Sequence, residues 1–145
     1  MALGWLLVMI GLAALVFAMI AGGREERIFV AAQAASAVAE HIIVRFGGNI
    51  PGAILIDLAV LAIIVPLALG SNKVWPLFAA SLGVAALMTE AAQLLVGASL
   101  EAYAIIHGSW DLLGALVVAL GAWNVMRAKR QASPTTLDTK MPGPG

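Results

Sequence analysis

The sequence predicts an all-α membrane protein: five transmembrane helices in an antiparallel bundle with short loops, N-terminus outside and C-terminus in the cytoplasm. Three observations predict it. Of the 145 residues, 62% are hydrophobic and only 11% are charged. Mean hydropathy is +1.00, whereas soluble domains carry about 25% charged residues. A soluble fold of this size cannot hide so much apolar surface. The apolar residues also fall into five runs, each close to the roughly 20 residues needed to cross about 30 Å of hydrocarbon. Finally, all basic residues but one fall on one side of that threading.

The first run, residues 3–22, ends at the charged cluster Gly23-Arg24-Glu25-Glu26-Arg27. The second, 28–46, stops at Gly47-Gly48-Asn49. The third, 51–69, is closed by Gly70-Ser71-Asn72-Lys73. The fourth, 75–96, is followed by Gly97-Ala98-Ser99, and the fifth spans 101–126. Loops this short make consecutive helices antiparallel neighbours. Residues 1–126 therefore read as one bundle. Residues 127–145 read as a cytoplasmic tail, basic at first and then rich in Pro and Gly, with no apolar period.

Five crossings place Arg24, Arg27, Lys73, Arg127, Lys129, Arg130 and Lys140 on one side and Arg45 alone on the other. Basic residues accumulate on the cytoplasmic side. The first run lacks a basic leader and is too long for a signal-peptide core, so it reads as a retained span. The expected location is a bacterial inner membrane, with the N-terminus periplasmic.

Composition also excludes function classes. A net charge of zero and no basic patch leave no footprint for nucleic acid. The absence of cysteine removes disulfides, thiolate metal sites and cysteine nucleophiles. No phosphate-binding loop, G-x-S-x-G or H-E-x-x-H motif is present. An enzyme is not expected.

Other features fit a bundle. Trp5 and Tyr103 fall at the predicted outer interface, and Trp75 and Trp123 at the inner one, where amphipathic rings favour the headgroups. Trp110 falls in the buried part. Pro51 and Pro76 sit at helix starts, whereas Pro66 lies inside span three, where it should kink the helix. The rows Ala14-Ala18-Gly22 and Ala31-Ala35-Ala39 let helices approach closely. Packing within the bundle is the expected use of both rows, and a dimer or partner face the sharper alternative.

Ionisable residues inside a span are costly and point to function. Here they are Glu40 and His41 in span two, Asp57 in span three, Glu90 in span four, and His107 and Asp111 in span five. At about 1.5 Å per residue all six fall in the outer half of the bilayer, with Gln93 a turn further out. Gln33, Ser36 and Glu40 share one face of span two by their spacing, and Tyr103, His107 and Asp111 share one of span five. Four carboxyls in one apolar layer cannot all stay ionised without partners. The layer reads as a structural polar network, or as a site for a proton, cation or small solute. A divalent metal is a further alternative, as is a haem or pigment held by His41 and His107. No cofactor is expected outright.

Gly22-Gly23-Arg24 with Arg27, Ile56-Asp57-Leu58, Trp75-Pro76-Leu77, Ala102-Tyr103-Ala104-Ile105 and Trp110 carry a resemblance over most of the chain. So do Leu67-Ala68-Leu69, Ser71 and Ala79-Ala80. The pattern resembles small membrane proteins of alphaproteobacteria, many from sphingomonads, to which no activity is assigned. Many of them carry His after Thr where this chain has Thr89-Glu90, a change that keeps a polar layer but not a haem ligand. The resemblance implies a multi-pass membrane protein and no particular chemistry. The expected function is a non-enzymatic accessory or structural subunit of a larger membrane complex, with other membrane subunits or a second copy as partner. A small proton- or cation-coupled carrier is the alternative, and a haem- or pigment-binding protein a third.

Overall fold

The computed structural model describes residues 2–47, 50–97 and 99–132. These form five α-helices and, among the described residues, no strand: α1 (Ala2–Ala21), α2 (Arg24–Gly47), α3 (Ile50–Gly70), α4 (Trp75–Val96) and α5 (Leu100–Ala132). Three helical stretches are long and apolar enough to cross a membrane, namely Pro51–Gly70, Trp75–Val96 and Ile105–Ala132. Trp5–Ala21 is a shorter apolar helix. Outward faces carry large apolar side chains such as Trp5, Ile20, Leu69 and Leu95. In water such a continuous apolar surface is a liability; in lipid it is an ordinary exterior.

Two helix ends differ from the sequence expectation. α2 starts at Arg24 rather than residue 28, which brings Glu25 and Glu26 into its first turn. Carboxylates are favoured there by the positive end of the helix dipole. α5 runs on through Arg127, Lys129 and Arg130 to Ala132 instead of ending at 126. The basic start of the predicted flexible tail is therefore helical. Ala, Arg, Lys and Gln are strong helix formers, and a helix need not stop where an apolar run does. The rest of that tail, 133–145 with Lys140, lies outside the described residues, as do Gly48, Asn49 and Ala98 in the expected loops.

Helix ends follow local chemistry. Pro76 occupies the first turn of α4, where a missing N–H costs nothing. Gly97 ends that helix at φ 67°, and its N–H reaches the carbonyls of Gln93 and Leu94. A left-handed residue in this role is favourably glycine. α3 passes through Pro66 as one helix.

The packing is a ring with one helix outside it. α2 packs on α3, α3 on α4, α4 on α5, and α5 closes back on α2. α1 lies outside the ring, mainly against α5 and also against α2. The core at one end gathers Phe29, Val30, Ile64, Trp75, Ala79, Val118 and Ala122, with Ala18 of α1. Trp75 meets Phe29 edge to face at 5.7 Å and 88°. The two small-residue rows divide. Ala14, Ala18 and Gly22 are buried, and the N–H of Gly22 extends α1 by bonding the Ala18 carbonyl. Ala31 and Ala35 are exposed, so the second row does not pack inside the bundle. The buried stripe of α2 instead runs through Phe29, Ala32 and Ser36.

Candidate functional site

Each ring helix sends one carboxylate toward a single imidazole. Glu40 comes from α2, Asp57 from α3, Glu90 from α4, and Asp111 from α5 together with His107 itself. Consecutive helices run in opposite directions, so the late part of α2 meets the early part of α3. The late part of α4 likewise meets the early part of α5. The four acids thus share one level because each lies within a few turns of that end of its helix.

The two ring nitrogens of His107 face different acids. Nδ1 lies 2.5 Å from Glu90 Oε1 and 3.8 Å from Asp57 Oδ2. Nε2 lies 2.7 Å from Glu40 Oε2 and 3.4 Å from Asp111 Oδ2. A surrounding shell holds the acids in place. The Gln33 amide donates to Asp111 Oδ1 at 2.6 Å, and the Ser36 hydroxyl donates to Glu40 Oε1 at 2.7 Å. Tyr103 stacks on the imidazole with centroids 5.4 Å apart and planes 14° from parallel.

Polar atoms are left over. Glu90 is fully enclosed, yet its Oε2 has no hydrogen-bond partner. Asp57 Oδ2, Tyr103 Oη and His107 Nε2 are also buried without one. Buried polar groups in folded proteins are nearly always paired, so a concentration of orphans calls for a cause. The charges do not balance either. Four carboxylates surround one imidazole, and no Lys or Arg among the described contacts reaches the cluster. A cavity of about 50 Å³ adjoins the site, lined by Asp57, His107 and Asp111 and, deeper, by Ile64, Ala79 and Gly114. That is room for a water or two beside an ion.

Comparison with known protein families, with curated proteins and with solved structures finds no match for this chain. The site is therefore read from its own geometry.

Of the residues the sequence singled out, Glu40, Asp57, Glu90, His107 and Asp111 come together. Gln93 is buried on α4 one turn from Glu90, and neither end of its amide has a partner. His41 is exposed, and no described contact joins it to the cluster. Helical geometry explains it: adjacent residues point about 100° apart, so His41 cannot share the inward face of Glu40. Trp110 is half-buried and lines the cavity. Tyr103, expected at the outer interface, is only 4% exposed, with its ring stacked on His107. Arg24, Arg27, Arg127, Lys129 and Arg130 are exposed, whereas Lys73 is engaged in a second cluster.

That second cluster lies at the opposite end of α2, fourteen residues or roughly 21 Å from Glu40. Its centre is Glu26, which the sequence reading treated only as part of a charged loop. The carboxylate is fully buried. Oε1 accepts from the Trp75 indole N–H at 2.8 Å and from Lys73 at 2.8 Å. Oε2 accepts from the Gly23 N–H at 2.8 Å and again from Lys73 at 3.0 Å. Lys73 also pairs with Glu25 at 3.0 Å. Burial pushes the Glu26 carboxyl up, but the bonds from Lys73 and Gly23 outweigh it and hold the group below its ordinary value. Burial lowers Lys73, and its bonds to Glu26 and Glu25 more than reverse that, keeping it above its ordinary value. Glu25 and Glu26 both pair with Lys73, so the cluster ties α2 to the α3–α4 turn.

Proposed function

We propose that this is a multi-pass membrane protein that binds a cation, a proton or a metal ion, inside its helix ring and acts as a small cation-coupled carrier. The observation that carries the reading is the excess of acid at the His107 cluster. Four carboxylates from four helices against one imidazole would be untenable in a hydrocarbon-enclosed bundle unless positive charge entered. Both oxygens of the Glu26 carboxylate have partners, whereas the His107 cluster leaves Glu90 Oε2, Asp57 Oδ2 and Tyr103 Oη unused. The adjoining cavity is lined by Asp57, His107 and Asp111. In proteoliposomes carrying an internal pH-sensitive dye, wild-type protein should speed proton movement under an imposed gradient. Glu90→Gln should reduce it at least tenfold, because Glu90 is the fully enclosed acid on His107. Equal rates for the two proteins would remove the reading.

All five helices are proposed to span, in a bacterial inner membrane, with the N-terminus periplasmic and the C-terminus cytoplasmic. The seven-to-one division of basic residues supports this orientation. The acid cluster would then lie toward the periplasm and the Glu26 cluster at the cytoplasmic interface. Periplasm-active and cytoplasm-active reporters fused to each end should report opposite compartments. Both ends in one compartment would mean an even number of crossings.

The accessory-subunit reading is supported by one observation, the exposed Ala31 and Ala35 on α2. Small residues facing outward let another helix come close. Extraction in mild detergent followed by mass analysis separates the cases: stoichiometric foreign subunits favour it, and an isolated chain or homodimer favours the carrier.

A further inference from the structure

We propose that Glu40, Asp57 and His107 hold one divalent transition-metal ion of the Zn²⁺ or Mn²⁺ class, with Glu90 as the residue that positions the imidazole. This rests on the cation-site reading and names its ligand. The three residues bring one ligand atom each to within 4.8 Å of one another.

Glu90 Oε1 lies 2.5 Å from Nδ1, and a proton on that nitrogen would be donated to it. Nε2 is then free to offer its lone pair, and it faces Glu40 Oε2 without making a hydrogen bond. A carboxylate that fixes the far nitrogen of a metal-binding histidine is a recurrent arrangement. Glu90 supplies the independent sign of a ligand: it is fully enclosed, and its second oxygen has no hydrogen-bond partner.

Charge and donor type choose the ion. Two carboxylates and a neutral imidazole around a dication balance within the donor set, so the ion offsets two of the four acids. Glu90 would remain on Nδ1–H, and Asp111 on the Gln33 amide. An imidazole in the donor set favours transition ions over Mg²⁺ and Ca²⁺, which prefer oxygen alone. The cavity beside Asp57 and His107 has room for a water to complete the coordination.

The test uses full-length, tag-free protein stripped with chelator in detergent and titrated with Zn²⁺ or Mn²⁺ against a chromophoric competitor. One ion per chain is expected, undisturbed by millimolar Mg²⁺. His107→Gln should weaken binding at least 100-fold, and Glu90→Gln about 10–100-fold, as loss of such a positioning partner does. His41→Ala, which removes an exposed imidazole, should bind like wild type. X-ray absorption at the zinc edge of the wild-type protein should show one imidazole among oxygen ligands, a readout that does not depend on any variant folding. No binding by wild type, equal binding by His107→Gln, or a spectrum without imidazole would overturn the metal. Glu90-dependent proton movement surviving that failure would leave the proton form of the carrier standing; its loss as well would take the whole cation site with it.

Discussion

Replacing Glu26 by alanine should cost the fold about 2–3 kcal/mol, measured as reversible unfolding in mixed micelles. Breaking an enclosed ion pair from one side typically costs about 3–5 kcal/mol. Lys73 keeps 35% of its side chain exposed, so water screens it and the lower range applies. The Trp75 indole N–H, bonded to Glu26 at 2.8 Å, would be left buried and unpaired. Glu26→Gln should lose less, because an amide oxygen still accepts from Trp75 or Gly23. The pH dependence has a definite sign. Glu26 sits below its ordinary 4.5, so its stabilisation is complete above that value and is lost as pH falls through the lowered one. Lys73 sits above its ordinary 10.5, so its share is complete below 10.5 and is lost only as pH rises through the raised value. Wild type should therefore show a plateau at neutral pH that falls at both extremes, and Glu26→Ala should lack this component of the fall. A variant as stable as wild type would mean the cluster is ornamental.

How visible these features were in the sequence depends on the physical rule each obeys. The common level of Glu40, Asp57, Glu90, His107 and Asp111 follows from a fixed rise per residue once the spans are placed. Direction around the helix is harder. Gln33, Ser36 and Glu40 show the inward face of α2, and that same wheel turns His41 away, but depth alone made His41 look like a neighbour. Trp75 and Tyr103 fit an interface rule by depth, yet both are buried because a specific polar partner or ring lies beside them. Glu26 was hidden by its company. In Arg24-Glu25-Glu26-Arg27 the charges read as a loop that marks a membrane boundary, and nothing local says which acid turns inward. Only the α3–α4 turn, 47 residues on, supplies Lys73 and Trp75. Helix ends defined by hydropathy likewise missed the last turns of α5, since lipid limits a span and not a helix.

The same substitution at two glycines of α5 should act with opposite sign. A Cβ on Gly121 would lie 2.5 Å from Trp75 Cδ1 and 2.7 Å from Cγ. That indole cannot easily give way: its N–H is fixed on Glu26 and its ring packs perpendicular to that of Phe29. Helix propensity favours alanine by about 1 kcal/mol, whereas forcing atoms into a packed core costs about 1–3 kcal/mol. With contacts this short the steric cost takes the upper part of its range, and Gly121→Ala should destabilise by about 1–2 kcal/mol. Gly108, on the same helix, is exposed and has nothing within 4 Å of its virtual Cβ. Gly108→Ala should therefore leave stability unchanged or raise it by up to about 1 kcal/mol. The double variant Trp75→Ala with Gly121→Ala isolates the cause, because removing the indole removes the clash. In that background Gly121→Ala should no longer destabilise. If it costs as much there as in wild type, the close approach of α4 and α5 at Trp75 is not what requires glycine, and the packing at this end of the ring must be redrawn.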